Sequence, residues 1–351
     1  MMKRTETKTS RWNGTALLAA IIVGAPLFSG IAVSAEVVNL YSYRQPFLIK
    51  PFLDEFTKRS GVTVNVVFAK KGMLERLKRE GANSPADAVL TTDISRLKAH
   101  ADAGLLKSVQ SDELNRNIPA QFRDPKGHWF GLTLRARLLA VSKERVSEGA
   151  IKAYEDLADP KWKGKICVRK GGHVYNRALV ASLIAHHGVE KAEQLVGKIV
   201  GNFARKPQGN DRAQAKAVFE GVCDIAIINN YYFGKMKFNE KKPEQKKWAE
   251  ALRLVFPNQE DRGTHVNISG AAVTKHSKNV ENAVKLIEFL SASFAQNMYA
   301  STNYEYPVNP NVDWSNEVVS WGRFKADTLD LAKIADLSPT AQKLADRVGW
   351  Q

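Results

Sequence analysis

Three tyrosines carry the most specific chemistry this chain offers. Tyr231 and Tyr232 follow directly on Cys223-Asp-Ile-Ala-Ile-Ile-Asn-Asn230. Cys223 to Ile228 is a short apolar run suited to a buried strand. Asn229 and Asn230 are turn and helix-cap residues. The pattern predicts two phenols at the carboxyl end of a strand, where open α/β sheets bind ligands. Tyr175 repeats the arrangement after Gly171-Gly172-His173-Val174, at the start of a predicted helix. Simple packing at a strand end would use the same residues. A shared junction type favours a common task, because helix N-termini favour negative charge.

A free tyrosine titrates near pH ~10, so phenolates at neutral pH need a strongly charged partner. A trivalent cation supplies that charge and inverts the local acid–base logic. Phenolate is a hard oxygen donor, and ferric iron is a hard acid. Calcium or magnesium would call for carboxylates and carbonyls, zinc for His and Cys. His173 lies near the site by position, whereas His186 and His187 fall deep in the helix and suit a surface role. Three phenolates leave an octahedral shell incomplete, so carbonate, another small anion or water would complete it. Its cationic seat would be Arg135, since guanidinium forks suit carboxylate-like oxygens, followed by Arg44 and Gln45 at the end of the first predicted strand.

The elements that must position these residues alternate along the chain. Strands are expected at Val37 to Tyr43, Val62 to Phe68 and Asp87 to Thr91. Helices fall between them, at Pro46 to Arg59, Gly72 to Glu80 and Asp93 to Ala103. In the first helix Phe47, Leu48, Phe52, Leu53 and Phe56 are expected to face inward. Such alternation implies an α/β fold with a mainly parallel sheet. Trp129 to Val141 reads as an extended crossing into a second lobe. There a strand at Lys165 to Arg169 precedes the helix of Tyr175, and a helix at Asp211 to Glu220 precedes the strand of Cys223. Strands at Leu252 to Phe256 and Val266 to Thr274 lead back, helices follow at Asn279 to Ser291 and Ser293 to Ala300, and one helix over Leu329 to Val348 closes the chain. The expected lobes are 36–135 with about 260–310, and 136–259 with about 311–351. Two lobes joined by extended crossings form a hinged cleft that closes on ligands.

Residues 1–35 read as a secretory signal peptide. Lys3, Arg4, Lys8 and Arg11 precede an apolar core over Ala16 to Phe28, and Val33-Ser34-Ala35 is a small-residue cleavage site. The apolar run is short for a membrane span and contains Pro26. A soluble exported protein is expected. Export permits a disulfide between Cys167 and Cys223, the only two cysteines; they bridge if their strands are neighbours and remain buried thiols otherwise. The formal charge of +16 is spread over short clusters such as Lys70-Lys71, Lys235 to Lys237 and Lys241 to Lys247. These read as solvated faces, with no nucleic-acid motif among them.

Taken together, the chain resembles the periplasmic ferric-ion-binding proteins that feed iron ABC importers. The resemblance spans the chain after the signal segment. It rests on Tyr41-Ser-Tyr-Arg-Gln45, Ser84-Pro-Ala-Asp87, Trp129-Phe-Gly131, Arg135-Ala-Arg137, His173-Val-Tyr-Asn176, Asn202-Phe-Ala-Arg205, Gln208-Gly-Asn-Asp211, Asn230-Tyr-Tyr232, Phe256-Pro-Asn258, Arg262-Gly-Thr-His-Val-Asn-Ile-Ser-Gly270 and Asn303-Tyr-Glu-Tyr-Pro307. It implies the two-lobe periplasmic binding protein fold of the type II kind, with Fe3+ in the cleft. The family's tyrosine ligands fall on Tyr175, Tyr231 and Tyr232, and its anion-binding arginine on Arg135. Many members add a His-Tyr pair in the first-strand loop. This chain has Gln45-Pro46 there, so the iron would depend on three tyrosines and a synergistic carbonate or bicarbonate on Arg44, Gln45 and Arg135. The implied partner is an inner-membrane ABC permease, and the implied form a monomer in the periplasm.

Two other readings compete. The same fold with Arg44 and Arg135 would suit an anion such as a phosphonate or sugar phosphate. A periplasmic hydrolase would need a nucleophile elbow or a His-Glu-x-x-His motif, and the chain has neither. No catalysed reaction is expected.

Overall fold

The computed structural model describes residues 36–351; the expected signal peptide lies outside them. Nine strands form one curled, mixed sheet: β1 (Val37–Ser42), β2 (Thr63–Phe68), β3 (Ala88–Thr91), β4 (Phe130–Ser142), β5 (Ile166–Cys167), β6 (Ile225–Asn229), β7 (Leu252–Val255), β8 (Val266–Val273) and β9 (Tyr306–Pro307). Their order is β2-β1-β3-β8-β4-β6-β5, with β7 and β9 also paired to β4.

The expectation of a mainly parallel sheet needs correction. β1 pairs parallel with β2 and β3, and β5 with β6. Every pair made by β4 or β8 is antiparallel. Alternating apolar patterns report strands but not their direction, and the two long strands run against the rest. β4 is the spine. Its first half pairs β8 from Phe130 to Ala136, and its second half pairs β6 from Arg137 to Val141.

Helices cover the sheet where apolar spacing demands it. In the helix Pro46–Ser60 the buried residues are Ile49, Phe52, Leu53 and Phe56. That stripe has helical period and excludes Phe47, which is 61% exposed, so the inward reading of Phe47 is wrong. The helix expected over Leu329 to Val348 is two, Leu331–Asp336 and Ser338–Arg347. Pro339 explains the break, since proline lacks an N–H and restricts the residue before it.

Cys167 and Cys223 are bridged, with Cα atoms 5.9 Å apart. β5 and β6 are parallel neighbours, which brings the two cysteines into reach. The bridge closes 56 residues of chain and should stabilise the fold by about 2–5 kcal/mol, chiefly by restricting the unfolded chain. Replacing both cysteines by alanine should lower the urea midpoint accordingly; an unchanged midpoint would contradict this.

His187 and Arg262 donate to Glu155 Oε1 at 2.7 and 2.6 Å, and Asn258 donates to Oε2 at 2.9 Å. Burial pushes the Glu155 carboxyl up, but these bonds outweigh it and bring it down from 4.5 to about 2. A depressed carboxylate stabilises the fold above its unfolded pKa, and that share is lost as pH falls through the folded one. The side chain is 29% exposed, so screening reduces the effect to about 1–2 kcal/mol. Denaturant titrations between pH 5 and pH 2 should show Glu155→Gln losing less stability on acidification than the parent; parallel losses would rule out this role.

Candidate functional site

β5 and β6 run side by side in the same direction, so their carboxyl ends share one edge of the sheet. The helix Val174–His187 starts after β5, and the helix Asn230–Lys237 starts directly after β6. This topology brings Tyr175 to Tyr231, Oη to Oη at 3.2 Å. Tyr231 and Tyr232 are stacked, with ring centroids 4.4 Å apart. All three line a cavity of about 90 Å³, together with Arg44, Gln45 and Arg135. The six residues singled out from sequence therefore share one space.

Each is held by its neighbours. His173 caps the helix of Tyr175, its Nδ1 accepting from the Tyr175 amide at 3.3 Å. Burial, reinforced by Arg169, lowers the His173 imidazole to about 3, so it stays neutral and can accept. It faces the Tyr175 ring edge-on and does not line the cavity. His186 bonds Asp327 at 2.8 Å and His187 bonds Glu155, away from the tyrosines. Asn230 accepts from the Ala136 amide at 3.0 Å and donates to the Tyr304 carbonyl at 2.8 Å, fixing the turn before Tyr231. Gly234 is required one turn later, because a Cβ there would strike the Tyr304 ring.

Beneath the tyrosines lies a buried charge cluster. Arg137 donates to Asp211 Oδ2 at 2.7 Å, to Asn229 Oδ1 at 3.2 Å and to Asn176 Oδ1 at 2.7 Å. Asp211 also accepts from Arg169 at 3.0 Å and from the Asn229 amide at 2.9 Å. Burial pushes the Asp211 carboxyl up, but Arg137 and Arg169 outweigh it and keep it ionised.

The cavity is lined with cations. The guanidinium carbons of Arg135 and Arg212 lie 5.6 Å and 5.0 Å from the rings of Tyr175 and Tyr232. Arg135 donates to the Ile268 carbonyl at 2.7 Å. Arg44 Nη2 donates to Ser269 at 2.7 Å and to Glu305 at 2.8 Å. Each arginine lining the cavity has a buried nitrogen without a partner among the described residues: Arg44 Nε and Nη1, Arg135 Nε and Arg212 Nε. Burial drives the Tyr231 phenol well above its usual value, and its two tyrosine neighbours push it further; Tyr232 is raised by burial, then by Tyr175 and the Asp211 carboxylate. Among the described residues, no cluster of three or more His, Cys, Asp or Glu offers a metal another cage.

Sequence reasoning missed Glu305. It is 2% exposed, lines the cavity and accepts from Arg44 and from Thr133 at 2.5 Å. Burial pushes its carboxyl up, but Arg44 outweighs that and holds it below the usual range. Its one signal was a carboxylate between two tyrosines in Asn303-Tyr-Glu-Tyr-Pro307. Arg212 and Lys235, also missed, lay in stretches read only as helix and basic cluster.

Residues 83–333 match the family of bacterial extracellular solute-binding proteins. The chain is 42% identical to iron uptake protein A1 of Synechocystis over 350 residues, 96% of each protein. Its fold matches the crystal structure of the Pasteurella haemolytica apo ferric ion-binding protein A with a TM-score of 0.86 and 50% identity, over 90% of this chain and 98% of that one. A Trichodesmium protein in complex with iron and citrate ligands matches with a TM-score of 0.84 and 43% identity, over 90% and 100% of the two chains. The fold is thus the two-lobe binding-protein fold, and the chain is a transport binding protein, not an enzyme. It belongs to the bacterial extracellular solute-binding protein family, among the periplasmic ferric-iron-binding proteins that its sequence resembles.

Proposed function

We propose that this protein binds ferric ion as its cargo in the periplasm and hands it, as a monomer, to an inner-membrane ABC permease. Tyr175, Tyr231 and Tyr232 would hold the ion as phenolates. A carbonate or bicarbonate would complete the shell, seated on Arg44, Gln45 and Arg135. The observation that carries this reading is the convergence of three phenols on one small cavity beside arginines with spare donors. Spare buried guanidinium N–H groups are costly unless something accepts from them, and an oxyanion accepts. Buried phenols surrounded by arginines repel a simple cation until they ionise, and a hard trivalent ion is what compensates that cost.

The two lobes would be 36–135 with about 260–310 and 136–259 with about 311–351. The change of partner along β4 between Ala136 and Arg137 supports that boundary. Secretion would follow from a signal peptide over residues 1–35. Among the described residues no helix is long and apolar enough to cross a membrane.

Ferric salt with bicarbonate should give the purified protein a phenolate-to-iron charge-transfer band in the visible. Tyr231→Phe and Tyr232→Phe should each weaken iron retention against a competing chelator by at least about 100-fold, more than loss of an outer partner usually costs. A colourless protein at saturation, or unchanged retention in both variants, would overturn the reading. Calorimetry showing tight phosphonate or sugar phosphate binding with no metal present would favour the anion-carrier alternative.

A further inference from the structure

The basic cluster from Lys235 onward reads in sequence as a solvated face, but part of it turns toward the site. Lys235 lines the tyrosine cavity. Lys241 and Lys242 line a groove of about 740 Å³ that shares Gln45, Phe47, Arg212 and Lys235 with the cavity. Its charged lining residues are Arg212, Lys216, Lys235, Lys241 and Lys242, with no carboxylate among the described lining residues. Of these five, only Lys216 has an ion pair among the described residues, with Glu220 at 3.2 Å. Phe47 and Phe238, on the groove wall, are 61% and 47% exposed. The larger opening on the side of His173 differs. It is lined by Glu75, Asp102 and Asp336 as well as by lysines, and Lys98 is paired with the last two at 2.8 Å.

Size and charge separate the roles of cavity and groove. About 90 Å³ accommodates an ion and a few water-sized groups. Yet a hard trivalent ion hydrolyses in neutral water and stays dissolved when anionic oxygen donors hold it. The groove has the volume of a small-molecule site, and its uncompensated cations suit carboxylates.

We propose that this groove seats a small polycarboxylate chelator that brings the ferric ion, while the tyrosines take the metal from it. The proposal rests on the ferric reading above. The step is a ligand exchange without electron transfer. Iron–carboxylate bonds break, iron–phenolate bonds form, and the phenol protons pass to the freed carboxylates or to water. Arg212 and Lys235, shared by both spaces, would keep the chelator's charge beside the cavity during the exchange.

The test compares two iron sources on the purified full-length protein: anionic ferric citrate and uncharged ferric tris(acetohydroxamate). The readout is growth of the charge-transfer band after mixing. The triple variant Lys216→Ala, Lys241→Ala, Lys242→Ala leaves the tyrosine cavity untouched. It should take iron from ferric citrate about tenfold more slowly, the scale of electrostatic steering, and from the uncharged complex at the parent's rate, with equal final absorbance from both. No slowing, or equal slowing on both sources, would overturn the groove's role while the final band still supports iron binding. A parent protein that develops no band from either source would instead sink the ferric reading, and the groove proposal with it.

Discussion

The buried pair of Arg137 and Asp211 holds the site together. Asp211 is fully buried and Arg137 2% exposed. Between them they reach both tyrosine-bearing junctions: Asn176 beside Tyr175, and Asn229 before Tyr231 and Tyr232. Removing one partner of such a pair costs about 3–5 kcal/mol, because the other is left charged and unpaired. Its value here is geometric as well. Two helices from different parts of the chain are referenced to a single guanidinium–carboxylate pair, so their phenols keep a fixed separation.

The surrounding fold repeats that logic with other forces. The disulfide ties the approach to β6 to the end of β5. At the far end of the chain, Trp350 is buried against the Gly171 loop, its indole donating to the Arg169 carbonyl at 3.0 Å. A side chain at Gly171 would collide with the Trp350 carbonyl. The C-terminus thus braces the loop that leads into the helix of Tyr175. Across the cavity, Arg44 is held by Glu305 on a segment 261 residues away in sequence. On the reading proposed above, a tyrosine edge held in place opposite a cationic wall would seat a hard ion together with an anion.

Much of this was legible from sequence because the determinants are local. An apolar run that stops at two asparagines and two tyrosines specifies a strand, a turn and a helix start within ten residues. Repetition of that grammar at Tyr175 implied convergence, which parallel neighbours β5 and β6 provide. Strand direction was not legible, since β4 and β8 look the same read either way. Phe47 misled because an aromatic near a helix start resembles the inner stripe, whereas Ile49 belongs to it. Pro339 was visible and should have split the last helix. The helix Val189–Gly201 went unseen because it follows Val174–His187 across a single glycine. Glu305 and the groove lysines depend on tertiary approach alone, and nothing at their own positions separates them from surface charge.

The account stands on the three phenol oxygens meeting at one metal. A crystal structure of the ferric-loaded protein, with anomalous scattering recorded at the iron edge, tests that most directly. The account predicts one strong anomalous peak in direct contact with Tyr175, Tyr231 and Tyr232 Oη, with the remaining density facing Arg44 and Arg135. A peak bound elsewhere, or no peak in a fully loaded crystal, would contradict it.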